Sequence, residues 1–203
     1  MKKRFWIFPI FSILLFTPLA HAQFGKGAAP KFYSEFKPIV GGWSEYEMKS
    51  KGESPLKMRI GVVGKEGEAY WYETVTEEKK MGKIITKMLV SGNPDDPNHV
   101  KRVIIKTGNE PAMEMPLMMW QQTAKSKETT KGKMVDKGSE TIKVPAGTFK
   151  TQHFQYQESG SLIDAWVYKD VYPEVLIKSQ SKDFDMVLLK YGTDAKTLIT
   201  EKP

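Results

Sequence analysis

The stretch Leu56-Lys57-Met58-Arg59-Ile60-Gly61-Val62 alternates apolar and polar residues, and Gly64-Lys65-Glu66-Gly67 interrupts it. Ala69-Tyr70-Trp71-Tyr72-Glu73-Thr74-Val75 then resumes in aromatic and β-branched residues. A period of two sends successive side chains to opposite faces, one dry and one wet, as in an antiparallel strand. Two such runs about a glycine-bounded turn predict a hairpin.

Working outward, the same period begins at Trp43 and returns at 83–90 and 100–107, with a turn at 77–82 and a Pro/Asp/Asn loop at 91–98. Together these segments predict a meander. The last third reads the same way, with strands expected at 140–144, 148–157, 162–168, 174–179 and 184–191. A short closing strand is expected at 196–200. Upstream, Phe32, Phe36 and Ile39 fall at helical spacings before Gly41-Gly42, which predicts a short amphipathic helix over 31–40. The fold class expected is mainly β (α+β): one strongly curved antiparallel sheet of nine or ten strands with two helical segments. No internal repeat and no linker divides it.

The N-terminus places Lys2, Lys3 and Arg4 before an apolar run at 5–19 and closes on Ala20-His21-Ala22. That order is the order of a cleavable export signal. The run is shorter than the roughly 20 residues of a spanning helix, and Pro9 and Pro18 interrupt it. The expected organisation is a signal peptide at 1–22 and a single domain at 23–203. The expected location is the periplasm, with no membrane span after cleavage. No cysteine follows Ala22, so lipid attachment at that point has no acceptor.

Loss of Lys2, Lys3 and Arg4 with the leader lowers the formal charge from +7 to +4. The remaining lysines alternate with acids instead of clustering, which argues against a nucleic-acid partner. The chain has no cysteine at all, which removes thiol catalysis, thiolate metal sites and disulfides together. There is also no Gly-x-Ser-x-Gly elbow, phosphate loop, dinucleotide fingerprint or His-Glu-x-x-His. No catalytic residue and no cofactor is assigned, and the protein is not expected to be an enzyme.

The most unusual stretch is Glu110-Pro111-Ala112-Met113-Glu114-Met115-Pro116-Leu117-Met118-Met119-Trp120. Methionine is flexible and polarisable, so a surface built from it adapts to varied apolar partners. Met113, Met115, Met118, Met119 and Trp120, with Trp43, Trp71 and Trp166 as further lining, are the candidate ligand-binding residues. The ligand class is an apolar small molecule or a lipid. Two alternatives stand beside it. Thioether sulfur is a soft ligand, so Met113, Met115, Met118 and Met119 are also a candidate Cu(I) site, although no histidine or cysteine lies among them. The charged segment 125–137, expected as an exposed loop or edge, is a candidate surface for an envelope protein partner.

The remaining polar candidates have bland readings. His99 follows Pro94-Asp95-Asp96-Pro97-Asn98, a solvated turn, and His153 sits between Gln152 and Phe154 on an expected strand. Asp95/Asp96 and Asp183/Asp185 read as solvated pairs, whereas Asp164, between Ile163 and Ala165, is the acid expected to be partly buried.

Val144-Pro145-Ala146-Gly147-Thr148-Phe149, followed by Trp166-Val167, Leu176-Ile177-Lys178, Met186-Val187-Leu188 and Tyr191-Gly192, resembles a group of exported bacterial proteins. Those are similar to the lipoprotein-localisation carriers (LolA/LolB-like). The resemblance covers roughly 142–198 and implies an incomplete β-barrel over a helical plug, with the methionine-rich segment as a helical or loop plug. It also implies a concave side that binds acyl chains or other apolar molecules. No lipid-contacting residue of the carriers maps onto this chain position by position.

Overall fold

The structure, a computed structural model, describes residues 36–78, 82–125, 133–158 and 161–200. The expected leader lies outside the described residues, as does the first half of the helix expected at 31–40. The described half, 36–40, is irregular instead of helical. Pro38 accounts for this, because it lacks an N–H and pushes the residue before it toward extended backbone.

Among the described residues eleven strands and one helix follow. They are β1 (Trp43–Ser50), β2 (Leu56–Glu66), β3 (Ala69–Glu78), β4 (Gly82–Val90), β5 (Val100–Thr107) and β6 (Met113–Met115), then α1 (Leu117–Lys125). The second half holds β7 (Lys133–Val144), β8 (Gly147–Glu158), β9 (Ser161–Val167), β10 (Leu176–Ser181) and β11 (Phe184–Gly192). All eleven form one antiparallel sheet in the order β6-β5-β4-β3-β2-β1-β11-β10-β9-β8-β7, open and not closed into a barrel. Two meanders therefore meet at the middle, where Trp43 lies opposite Gly192 and Tyr46 opposite Leu188. The two free edges, β6 and β7, come from the middle of the chain.

Alternation divides the side chains as the sequence implies. Tyr46 and Met48 on β1, Ile60 on β2, Tyr72 on β3, Met88 on β4 and Val103 on β5 enter one inner core with Leu176, Ile177, Met186 and Leu188. Full burial of an aliphatic side chain of this size contributes about 1.5–3 kcal/mol, so this face is the principal source of stability. A smaller outer cluster joins Val75, Ile85, Ile104, Ala112 and Ile199, with Trp71 packed against it.

Two strand expectations change. The strand expected at 140–144 starts at Lys133, so the charged segment forms a sheet edge from that point. A bulge between Asp136 and Gly138 bends it, and the Asp136 Oδ1 accepts the Gly138 N–H at 2.8 Å. The strand expected at 196–200 is instead a strap. The Leu198 N–H and the Thr197 hydroxyl donate to the carboxylate of Glu73, at 3.1 and 2.6 Å, where a strand would offer backbone carbonyls. Ala195 N donates to Gly41 O at 2.8 Å and ties the strap to the turn before β1.

Candidate functional site

The methionine-rich stretch folds into the three-residue edge strand β6 and the helix α1. Pro111 and Pro116 bound the strand because neither can donate to the ladder. Pro116 then suits the helix start, and its carbonyl accepts the N–H groups of Met119 at 3.0 Å and Trp120 at 3.3 Å. On β6, Met115 lies opposite Val103 and Met113 opposite Ile105, so both follow the inner-face row. Glu114 turns outward and meets Arg102 in a two-pronged pair at 2.9 and 2.8 Å. The guanidinium hydrogen bonds hold the Glu114 carboxyl below its usual range.

Helical periodicity then sorts α1. Leu117 and Trp120, three apart, lie half-buried against the inner core, as does Met115. Met118 and Met119 occupy the opposite side and are 71% and 55% exposed, beside Met113 at 63%. An apolar path therefore runs from the core of the sheet to its surface at this edge, with sulfur on its outer half.

The three tryptophans lie elsewhere. Trp43 and Trp71 alternate with buried Ser44 and Tyr72, which turns their indoles to the outer face. Trp43 lies across Gly192, under the Arg59 guanidinium at 4.6 Å, and donates to Asp194 Oδ1 at 2.7 Å. Trp71 donates to Glu66 at 3.2 Å and faces Lys87 and Arg102 at 5.0 and 5.5 Å. Trp166 touches the inner core at its edge, stacks on His153 at 4.6 Å, faces Lys178 at 5.2 Å and donates to Glu140. Each ring is thus set among cations and acids. The structure does not gather the eight sequence-chosen residues at one surface: Met113, Met115, Met118, Met119 and Trp120 share the β6–α1 edge, and the tryptophans at 43, 71 and 166 are spread over three other places.

The polar candidates resolve locally. His153 Nε2 lies 2.8 Å from Asp164 Oδ1, which also accepts from Gln155 at 3.1 Å, and Asp164 is half-buried as expected. His99 lies 3.8 Å from Asp96 in the β4–β5 loop. Among the described residues no group of three or more His, Asp or Glu side chains is arranged to hold a metal ion.

One feature has no sequence signature beyond an acid between Pro173 and Val175. The Tyr72 hydroxyl, in the inner core, donates to Glu174 Oε1 at 2.5 Å. Burial raises the Glu174 carboxyl to about 7, and the nearby Asp95 charge adds to the rise while the Tyr72 hydrogen bond opposes it. The next residue, Val175, has a φ of 48°, a conformation costly for a β-branched side chain.

No family model matches the chain, and no curated protein matches it in sequence. Solved structures that match in shape include the following three. The crystal structure of MucB has a TM-score of 0.47 at 9% identity, over 81% of this chain and 57% of that one. MucB in complex with MucA(peri) gives 0.45 at 8%, over 85% and 55%. A Bacteroides fragilis exported protein with a YmcC-like fold gives 0.34 at 10%, over 77% and 98%. The chain spans a little over half the length of the MucB chains. Among the described residues no helix is long and apolar enough to cross a membrane.

Proposed function

We propose that this is an exported binding protein of the bacterial cell envelope that carries an apolar ligand, a lipid or its acyl chain, at the β6–α1 edge. The observation that carries this reading is the continuity of apolar side chains from half-buried Met115, Leu117 and Trp120 to exposed Met113, Met118 and Met119. An acyl chain laid along that path meets flexible, polarisable side chains without displacing charge. The leader-like order at 1–22 and the resemblance to the lipoprotein carriers support the same reading. Native mass spectrometry of protein purified from its own periplasm tests it. A bound apolar species, or uptake of added fatty acid or phospholipid, is expected; a clean apo mass with no uptake refutes carriage.

A second reading, docking of an envelope protein, draws on the same exposed methionines, since adaptable surfaces of this kind also accept apolar faces of partner proteins. Photo-crosslinkers placed at Met118 in living cells separate the two, because a protein adduct favours docking and a lipid adduct favours carriage. Anaerobic Cu(I) titration separates the metal alternative. Stoichiometric binding that disappears when Met113, Met115, Met118 and Met119 become leucine is the result that reading requires.

A further inference from the structure

Exposure sorts the methionines of this protein into distinct environments. Met48, Met88 and Met186 are buried in the inner core, where their shape fills space between strands. Met113, on the inner-face row of the edge strand β6, is nevertheless exposed, and Met118 and Met119 stand on the solvent side of α1, at positions a purely structural amphipathic helix fills with Lys, Gln or Glu. Met134, on the other edge strand β7, is exposed as well but stands apart from this group. The inward positions of the same stretch hold Leu117 and Trp120 beside a single half-buried Met115, and Ala112 is buried in the outer cluster. Fold stability does not ask for sulfur on the exposed side, and an apolar surface alone could be built from leucine.

We infer that Met113, Met118 and Met119 form a site of reversible oxidation by hydroperoxides, which converts the β6–α1 surface from apolar to polar. The thioether lone pair attacks the distal oxygen of the peroxide. The O–O bond breaks, an S–O bond forms, sulfur loses two electrons, and the remaining oxygen takes up the proton and leaves as the alcohol, or as water when the oxidant is hydrogen peroxide. A dithiol-dependent sulfoxide reductase reverses the step by supplying two electrons and two protons and releasing water. Each sulfoxide places a strong dipole where a neutral thioether lay, so three adjacent conversions remove the apolar character of the edge. The inference shares its residues with the binding reading, but its test needs no ligand.

A tryptic digest isolates Met113, Met115, Met118 and Met119 on one peptide, 107–125, and separates them from Met48, Met88 and Met186. The intact protein is treated with graded hydrogen peroxide, mapped by tandem mass spectrometry, and run on a hydrophobic-interaction column. Met113, Met118 and Met119 should gain oxygen about tenfold faster than Met48, Met88 and Met186. Retention should fall with oxidation and return after treatment with methionine sulfoxide reductase. With Met134→Leu introduced into both backgrounds, because Met134 is also exposed, the variant carrying Met113→Leu, Met118→Leu and Met119→Leu should lose much less retention than its parent. Oxidation of buried and exposed methionines in step, or unchanged retention of the oxidised wild type, overturns the inference. Failure of lipid uptake in the native-mass experiment, with this result intact, refutes carriage and leaves the oxidation site standing.

Discussion

The Tyr72 hydroxyl and the Glu174 carboxyl, 102 residues apart in the chain, meet at 2.5 Å at the margin of the inner core. This contact joins the β3 row to the loop before β10, and it holds an acid whose titration falls near neutrality.

The sign of the resulting pH dependence follows from linkage. The folded carboxyl, at about 7, lies above the ordinary glutamate value of 4.5. Between those values the folded state binds more protons, so stability falls as pH rises. The contribution is fully present below about 4.5, is lost through about 7, and amounts to at most about 3 kcal/mol. Urea unfolding at pH 5 and pH 8 should show that loss, and Glu174→Gln should flatten it.

Gly41 has a φ of 93°, and a Cβ there would lie 2.3 Å from the Thr193 carbonyl oxygen. Gly41→Ala combines a disfavoured backbone with a clash against the strap. It should cost about 2–4 kcal/mol, read as a lowered urea midpoint.

The inner face offers an internal contrast. Leu188 is fully buried at the junction of the two meanders, and Leu188→Ala should cost about 3 kcal/mol through lost burial and a residual cavity. Ser179 is equally buried, yet among the described residues its Oγ has no hydrogen-bond partner. Ser179→Ala removes an unsatisfied hydroxyl and should leave stability unchanged or raise it by up to about 1 kcal/mol. A large loss from the serine variant would show that the hydroxyl is satisfied in solution.

Thr197 holds the strap through Glu73, a residue that is only 2% exposed. Thr197→Val leaves that acceptor one donor short, at a cost of about 1.5–3 kcal/mol. Hydrogen exchange should rise first at Ala195 and Leu198, with the β10 amides remaining protected.

Replacing Met113, Met118 and Met119 by lysine should shift stability by less than about 0.5 kcal/mol per site, as expected at exposed positions. The same variant should lose lipid uptake. A variant that unfolds would place these residues in the fold, not in the binding surface.

Much of the sheet was legible from alternation. Residues 100–107 form a strand with the bounds expected, and the run around Leu56 pairs with the run around Tyr72 as a hairpin. What escaped has physical reasons. β6 is three residues long between two prolines, below any useful window. The first half of β7 is a polar edge, held by pairing with Gln152 to Gln157 instead of by burial, so it carries little apolar signal. Period-two counting puts Trp71 out of phase with Tyr70 and Tyr72, which was enough to send its ring to the outer face. By contrast, the Tyr72–Glu174 contact depends on the join between β1 and β11, which no local pattern encodes.

That join also governs assembly of the chain. Trp43 must wait for Gly192, because during synthesis β1 is the first of the described strands to emerge and its central partner β11 the last. A polypeptide ending before Phe184 leaves β1 and β10 each with a bare backbone edge at the centre of what would be one sheet. The central pairing of the sheet should therefore form only when nearly every residue has been made, and prematurely terminated chains should be cleared by proteolysis or aggregate through those two strands.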